Sequence, residues 1–336
     1  MDKLKVGVVG CGFIAKKRHI PSFLRLKKNV YLSAVCDLNQ ELAKGASKQF
    51  GIPHVYSDLS DMLSKEHLDI VDVCTPPKVH APVALEAMES GCNVLLEKPM
   101  APSLKDCDRM IEAARQNKVQ KFLFSSSACV YPTYKQTDPD VKGLREEDAY
   151  PADPDNFYGW EKLYTEKMCE AYQRDHGMDI RMVRYHNIYG PEGTYKGGRE
   201  KAPAALCRKV AEASNPGTIT IWGDGKQTRS FCYIDDCVRG TLALMDSDYD
   251  KPINIGSERL VTINELADMI IKISGKKISK EYDLSKPQGV RGRNADISLA
   301  RKVLGWEPKV SLEEGLAKTY NWITEKCAAD QTLASQ

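Results

Sequence analysis

The stretch Val8-Val9-Gly10-Cys11-Gly12-Phe13-Ile14-Ala15 decides the fold of the first part of the chain. It continues the short apolar run Lys5–Val9 and has the pattern Gly-x-Gly-x-x-Ala where a helix is expected to begin. The first glycine permits a tight turn, the second lets the backbone approach a pyrophosphate, and the alanine allows close packing of helix on strand. The sequence therefore predicts a dinucleotide site that includes Gly10, Gly12, Phe13 and Ile14.

The end of the second predicted strand indicates which dinucleotide binds. Asp37 closes the apolar run Tyr31–Cys36, at about the distance of 20 residues expected for the acidic residue of this motif. Its carboxylate would accept hydrogen bonds from a ribose 2′-hydroxyl and repel a 2′-phosphate. Leu38 and Asn39 follow, with no arginine. We expect NAD rather than NADP; the alternative is a glycine turn that binds nothing.

Short apolar runs alternate with helix-like stretches along the first part of the chain, which favours a parallel sheet. Predicted caps at Ser103, Thr262 and Ser311 begin three helices. After about residue 190 the sequence is richer in glycine and proline and less regular. The prediction is an α/β fold: a doubly wound parallel Rossmann sheet with a smaller C-terminal substrate-binding α/β domain. The runs assigned to strands are Lys5–Val9, Tyr31–Cys36, Asp69–Cys74, Asn93–Leu96, Lys121–Ser125 and Asp179–Tyr185, the last after a helix at Phe157–Arg174.

The composition is that of an ordinary globular protein. Of 336 residues, 42% are hydrophobic and 28% charged, and the net charge of +2 gives no reason to expect a nucleic-acid or membrane partner. The eleven cysteines include no Cys-x-x-Cys and no zinc-ligand spacing. We expect thiols in a reducing cytoplasm and no metal. The first residues show no secretory pattern, and no apolar run reaches the length of a membrane span.

Residues 1–118 resemble the glucose-fructose oxidoreductase and inositol dehydrogenase family. The resemblance is carried by the glycine motif, by Cys74-Thr75-Pro76-Pro77 with His80, and by Glu97-Lys98-Pro99. It implies that Thr75 and Pro76 cup the cofactor and that Lys98 lies by the nicotinamide. That family also has an Asp-x-x-x-His motif in its C-terminal half, which none of the six histidines here completes. Lys98 is therefore expected as a cofactor contact; the alternative is a lysine that merely ends a strand.

From residue 119 onward the sequence resembles the GDP-mannose 3,5-epimerase family of extended short-chain dehydrogenases/reductases. The runs that carry the resemblance are Ser125–Pro132, Tyr158–Lys162, His186–Pro191, Lys196–Pro203, Trp222–Ser230 and Val290–Asn294.

Three residues in these runs form a candidate oxidation site. Tyr158 and Lys162 are four positions apart and share one face of the predicted helix. A nearby ammonium favours phenolate, so we expect Lys162 to lower the pKa of Tyr158 and make it a base near neutral pH. Ser127 would hydrogen-bond the same substrate oxygen. Tyr158 and Lys162 are also expected to contact the cofactor. The alternative for Tyr-x-x-x-Lys is an ordinary helix face.

The resemblance further implies an acid–base pair, Cys129 and Lys201. Oxidation of C4 of a hexose acidifies the C–H bonds at C3 and C5, and inversion needs a proton removed from one face and returned to the other. A thiol and an amine can do this once their pKa values suit the working pH. The alternatives are a buried structural thiol and a solvated surface lysine.

The remaining implied contacts hold a nucleotide sugar like GDP-mannose, since cations and amides suit a diphosphate. The substrate-binding prediction comprises Ser127, Asn187, Glu200, Lys201, Ala202, Lys209, Gln227, Arg229 and Arg293. Members of the superfamily are commonly homodimers, which we also expect here.

The chain thus combines two families, with predicted domains at residues 1–118 (NAD-binding), 119–190 (the rest of the Rossmann sheet, with the Ser/Tyr/Lys elements) and 191–336 (mainly substrate-binding). The run Asn93–Leu96 adds a strand before Lys121–Ser125. If these strands pair in the order of the sequence, the strand that leads to Ser127 lies one position further from the point where the strand order reverses. This shift corresponds to about 4.8 Å. The expected function is an NAD-dependent nucleotide-sugar 3,5-epimerase. The alternatives are a 4-epimerase or 4,6-dehydratase, and an NAD-binding chimera without activity.

Overall fold

The computed structural model describes residues 3–334, with side chains to residue 330. It divides into two compact units. Unit 1 comprises Met1–Phe122 and Arg174–Met178, and unit 2 comprises Leu123–Gln173 and Asp179–Gln336. Each is described below by itself. The finer division predicted at residues 118 and 190 stays a prediction.

Five parallel strands form the sheet of unit 1. Their order is β3-β2-β1-β4-β5, so the direction in which strands are added reverses between β1 and β4. Ligands of such sheets bind outside the carboxyl ends of the strands at this reversal. The strands are β1 Leu4–Val9, β2 Val30–Cys36, β3 His54–Tyr56, β4 Ile70–Val73 and β5 Asn93–Leu96.

Both faces of this sheet are buried, because neighbouring residues of one strand enter different cores. Val8 packs in a cluster with Ile20 and Ala43, whereas Val9 packs in another with Met62 and Ala87. Side chains alternate along a strand, so apolar residues at successive positions cover both faces. The predicted parallel sheet between helices is confirmed. The helices are α1 Ile20–Arg25, α2 Gln40–Phe50, α3 Leu59–Glu66, α4 His80–Glu89 and α5 Leu104–Gln116.

Unit 2 contains several small sheets. The strand that carries Ser127 belongs to a three-stranded sheet of order β12-β7-β6, and the others pair as β13-β10-β15, β11-β8 and β14-β9. The strands are β6 Phe122–Ser127, β7 Ile180–Tyr185, β8 Ile188–Tyr189, β9 Gly217–Trp222, β10 Thr228–Ser230, β11 Cys232–Tyr233, β12 Pro252–Ile255, β13 Leu260–Thr262, β14 Ile278–Asp283 and β15 Gly292–Arg293.

The helices of unit 2 are α6 Phe157–His176, α7 Ala202–Glu212, α8 Ile234–Asp246, α9 Ile263–Ser274, α10 Ser298–Leu304 and α11 Leu312–Ala334. Thr262 and Glu265 form the predicted capping box of α9. The predicted caps of α5 and α11 are also present, since Ser103 accepts the N–H of Asp106 and Ser311 accepts that of Glu314. Leu206, Leu266 and Leu316 bring α7, α9 and α11 into one core.

Within residues 3–334, none of the helices combines the length and the apolar character that crossing a bilayer requires. All eleven cysteines are thiols, and ten of them are buried.

Candidate functional site

The glycine turn after β1 has the geometry that a pyrophosphate requires. Gly10 has φ 91°, and a Cβ there would lie 2.8 Å from the backbone of Cys74 and Thr75, so no larger residue fits. Around a Cβ built on Gly12 there is open space to 4 Å among the described residues. Gly10 thus closes the turn onto β4, while Gly12 leaves room for a ligand. The flanking Phe13 is 75% exposed.

Asp37 is held at the carboxyl end of β2. It accepts the N–H of Cys11 at 2.7 Å and that of Asn39 at 2.8 Å. A carboxylate has about four acceptor positions, so acceptor capacity remains for ribose hydroxyls. Leu38 is 91% exposed and offers no charge for a 2′-phosphate. These features fit NAD.

Two predicted cofactor contacts follow β4 and β5. Thr75 and Pro76 come after β4, and the Thr75 Oγ1 is buried without a hydrogen-bond partner among the described residues. Lys98 comes after β5 and is exposed. An unpaired buried hydroxyl costs free energy, so a ligand that pairs Thr75 would be favoured.

Unit 2 brings together the serine and tyrosine of the predicted oxidation site. Ser127 ends β6, and its hydroxyl lies close enough to Tyr158 on α6 to lower the pKa of that phenol. Its Oγ also accepts the N–H of Cys129 at 3.2 Å. The Lys162 ammonium is buried and lies 5.5 Å from the centroid of the Tyr158 ring and 4.9 Å from that of Phe124.

The prediction that Lys162 lowers the pKa of Tyr158 is wrong for this structure. Partial burial raises the pKa of Tyr158, and the hydrogen bond from Ser127 opposes that rise without reversing it. The spacing of four residues established the shared helix face, but it could not specify how much water the fold removes.

Cys129 is only partly buried, unlike the other ten cysteines. Arg293 Nη1 lies 3.5 Å from its Sγ. Its carbonyl packs on α6, where a Cβ on Gly159 would lie 2.2 Å from the Cys129 oxygen. This glycine lets the loop after β6 approach the helix that carries Tyr158.

Two arginines of paired strands form a compact cationic site. Arg229 of β10 lies opposite Arg293 of β15. Burial, together with the nearby charge of Arg293, lowers the pKa of Arg229 to about 10. Arg293 Nε donates to Gln136 Oε1 at 2.5 Å. Its Nη2 is buried without a hydrogen bond among the described residues, with Asp155 Oδ2 at 3.8 Å. Two like charges held together in this way favour an anion between them.

Three other predicted substrate residues donate hydrogen bonds to backbone carbonyls. Asn187 has φ 45° and donates to the carbonyl of Ser230 at 2.9 Å. Gln227 Nε2 donates to the carbonyl of Trp222, whereas its Oε1 is buried without a partner among the described residues. Burial lowers the pKa of Lys209, whose Nζ donates to the carbonyl of Thr220 at 2.6 Å.

The start of α7 carries the three other predicted substrate residues. Burial opposes ionisation of Glu200, but backbone hydrogen bonds and Arg208 outweigh it, so the net pKa is lowered. Lys201 occupies the N-cap position of α7 and is exposed, and Ala202 begins the helix. Gly197 and Gly198 precede them with φ 96° and 81°, conformations that suit glycine.

The sequence matches two family descriptions. Residues 71–256, more than half of the chain, match the NAD dependent epimerase/dehydratase family. Residues 4–124 match an oxidoreductase family with an NAD-binding Rossmann fold. The chain belongs to the NAD dependent epimerase/dehydratase family. Both descriptions name NAD, which confirms the predicted cofactor, and the predicted two-family composition is confirmed as well.

Curated relatives in this epimerase/dehydratase family include GDP-mannose 3,5-epimerase of Arabidopsis thaliana, 49% identical over 67% of this chain and 59% of the relative. GDP-L-fucose synthase of Escherichia coli is 33% identical over 64% of this chain and 70% of the relative. The chain therefore spans about three fifths of the length of the first of these relatives.

Solved structures of the epimerase/dehydratase family share the fold. UDP-glucose 4-epimerase of Thermotoga maritima superposes with a TM-score of 0.66 at 24% identity, covering 96% of this chain and 100% of that one. UDP-glucuronic acid 4-epimerase of Bacillus cereus, in complex with UDP-glucuronic acid and NAD, gives 0.63 at 26% identity with the same coverage. The predicted fold class is confirmed.

Sequence reasoning missed the residues that support this site. Gln136 orients Arg293, and Glu166 of α6 forms a buried pair with Arg184 of β7 at 2.6 Å. The only signal for Glu166 is its position four residues beyond Lys162 on the same helix face. Gln136 lies 157 residues from its partner, and no local pattern could indicate that contact.

Proposed function

We propose that the chain is an NAD-dependent nucleotide-sugar epimerase that acts like GDP-mannose 3,5-epimerase, by transient oxidation at C4, proton exchange at C3 and C5, and re-reduction. One juxtaposition carries the proposal. Ser127 and Cys129 both lie close enough to Tyr158 to influence its pKa, and the Cys129 thiol is partly exposed. Oxidation alone would need only Ser127 and Tyr158, whereas a thiol beside them supports proton exchange on the oxidised sugar.

The residues of unit 1 fit the cofactor. The open space at Gly12 would receive the pyrophosphate and Asp37 the ribose of the adenosine half. The unpaired hydroxyl of Thr75 would pair with the other half. When bound, NAD supplies an acceptor for the hydride of C4 and later returns it.

In this proposal, Tyr158 removes the proton of the C4 hydroxyl during oxidation and returns it during re-reduction. Ser127 lies close to Tyr158 and would orient the same substrate oxygen. Burial raises the pKa of Tyr158, so the resting side chain is a phenol suited to protonate the C4 oxygen during re-reduction. Oxidation at C4 needs the phenolate form of Tyr158. The rate of proton exchange at C3 and C5 should therefore increase as the pH rises into the alkaline range.

Cys129 and Lys201 would exchange the protons at C3 and C5. One removes a proton from the carbon beside the ketone and the other returns a proton to the opposite face. The thiol lies two residues after Ser127, and the lysine is exposed at the start of α7.

The diphosphate would lie against Arg229 and Arg293. Their buried like charges repel one another, and Arg293 Nη2 has no hydrogen bond among the described residues. An anion would relieve the repulsion and occupy that donor. Asn187, Glu200, Ala202, Lys209 and Gln227 complete the proposed substrate contacts.

Incubation of the protein with GDP-mannose in heavy water tests the proposal. Deuterium at both C3 and C5 supports it. A Tyr158→Phe variant should lose exchange at both carbons, and Cys129→Ala should lose it with NAD binding intact. Tyr172→Phe is the matched control, because this partly buried tyrosine lies further along the same helix. Full exchange in Tyr158→Phe would contradict the mechanism.

The overlap of the two family matches over residues 71–124 favours a second candidate, an NAD-binding protein without turnover. Tight NAD binding without any deuterium exchange would support that candidate. Deuterium at C5 alone would instead indicate a dehydratase-like reaction, and inversion at C4 without exchange a 4-epimerase.

We also propose a homodimer in the cytoplasm. Trp160 and Tyr164 are four residues apart on α6 and half-exposed, which supports an apolar contact face. The thiol state of the cysteines supports a reducing compartment. Mass measurement in solution tests the dimer.

A further inference from the structure

Two histidines of unit 1 use both ring nitrogens to connect separate elements. His19 ends a single π-helical turn, Ala15–His19, which follows the glycine motif. Its Nδ1 lies 2.9 Å from Asp72 Oδ1, and its Nε2 lies 3.0 Å from Glu97 Oε1. Isolated π turns commonly occur at functional sites. Here the π turn places the His19 imidazole in contact with Asp72 of β4 and with Glu97, the residue after β5.

Both partners of His19 are carboxylates, so the ring carries two protons. Their hydrogen bonds raise the pKa of His19 to about 12, and its bonds lower that of Glu97. His19, Asp72 and Cys74 lie within 4.8 Å of one another. With both nitrogens facing carboxylates, the ring acts as an ion-pair bridge between Asp72 and Glu97.

The bridge reaches the backbone of the loop after β5. Glu97 Oε1 lies 3.0 Å from Nε2 of the His19 imidazole, and Glu97 Oε2 accepts the N–H of Lys98 at 2.9 Å. Asp72 is fully buried in β4 and accepts the Cys74 thiol at 3.3 Å. Without the imidazole, two carboxylates would face each other without a shared cation, and the loop would lose its anchor.

His80 connects the same two loops from the other side. It is fully buried at the start of α4. Its Nδ1 lies 2.9 Å from the carbonyl of Pro99 and its Nε2 lies 2.8 Å from the carbonyl of Thr75. The loops after β4 and β5 are therefore joined through one ring, next to the unpaired Thr75 Oγ1.

The topology specifies which half of the dinucleotide these loops would meet. The strand order reverses between β1 and β4, and the pyrophosphate is expected over the turn after β1. Asp37 follows β2 on one side and would bind the ribose of the adenosine half. Thr75 and Lys98 lie on the other side, after β4 and β5, where the nicotinamide half would extend.

We propose that His19 and His80 are positioning residues that hold Thr75 and Lys98 against the nicotinamide half of NAD. The proposal deepens the predicted cofactor site and does not depend on which sugar is bound. Neither histidine touches the cofactor in this account. They act through Asp72, Glu97 and the two loop backbones.

The experiment compares NAD with ADP-ribose, which has the adenosine half but lacks nicotinamide. We expect calorimetric titration to show that NAD binds about tenfold more weakly to the variants His19→Gln, Glu97→Gln and His80→Gln than to the wild type. This is the loss of affinity expected for a displaced polar contact. The affinity for ADP-ribose should fall by less than about twofold. His67→Asn is the control, because this exposed histidine caps α3 and should leave both ligands unchanged. Equal weakening of both ligands, or none, would overturn the proposal.

A measurement on the unmodified protein covers the case in which a variant does not fold. Hydrogen exchange in the segments 74–77 and 97–100 should slow more with saturating NAD than with saturating ADP-ribose. Equal protection by the two ligands would overturn the proposal. Neither experiment uses a sugar nucleotide, so a failure here is distinct from a failure of the epimerase function.

Discussion

Breaking the buried ion pair between α6 and β7 should cost unit 2 more stability than breaking an exposed pair. Arg184 Nε and Nη2 donate to the two Glu166 oxygens at 2.9 and 2.6 Å, and both side chains are at most 2% exposed. Ser126 also hydrogen-bonds Glu166, and Arg184 Nη1 donates to the carbonyl of Glu146. The pair thus connects α6, the helix of Tyr158, with β7, and the hydrogen bond from Ser126 connects α6 with β6, the strand of Ser127.

A Glu166→Gln substitution keeps the shape of the side chain but leaves the guanidinium without a counter-charge. Removal of one partner of a buried pair costs about 3–5 kcal/mol. For a unit of about 200 residues this corresponds to a melting temperature lower by roughly 6–20 °C. Much of the loss is the cost of leaving Arg184 charged and unpaired in a buried position.

Guanidinium unfolding followed by tryptophan fluorescence measures this loss, because all four tryptophans belong to unit 2. Glu170→Gln is the matched control on the same helix. Glu170 pairs with Lys167 at 2.7 Å near the surface, and such pairs contribute about 0–1 kcal/mol. A double substitution of Glu166 and Arg184 by methionine should be less destabilising than Glu166→Gln alone. Equal losses in Glu166→Gln and Glu170→Gln would refute the reasoning.

Two further predictions concern the two units separately. Gly159→Ala should destabilise unit 2 by about 1–3 kcal/mol in the same unfolding assay, because its Cβ would overlap the Cys129 carbonyl; an unchanged midpoint would contradict the close packing. The stabilisation from His19 should be complete below its unfolded pKa of 6.5 and decline as the pH rises toward about 12, because only the folded state keeps the proton there. Hydrogen exchange in β1 and β4 should therefore accelerate with pH more in the wild type than in His19→Gln, after correction for intrinsic rates.

Much of the fold follows from local sequence. The runs assigned to β1, β2, β4, β5, β6 and β7 all form strands, and the three predicted helix caps are present. These features depend on residues within a few positions of one another. The glycine turn also depends on local sequence, because Gly10, with its positive φ, belongs to a short motif. The burial of both faces at the centre of the unit 1 sheet could be predicted because β1 and β2 are mostly apolar.

The supporting contacts of the candidate site depend on distant parts of the chain. Arg293 and Cys129 are 164 residues apart, and His19 and Glu97 are 78 apart. No periodicity connects such positions, and only the packing of several elements brings them together.

The sequence by itself determined the strands, the helix caps, the glycine turn and the shared helix face of Tyr158 and Lys162. Only the tertiary structure decided the protonation of that tyrosine, because burial raises its pKa against the expectation from its neighbour. The physical reason is that spacing along a helix specifies which groups are adjacent. The free energy of a charge also depends on how much water the rest of the fold removes from it.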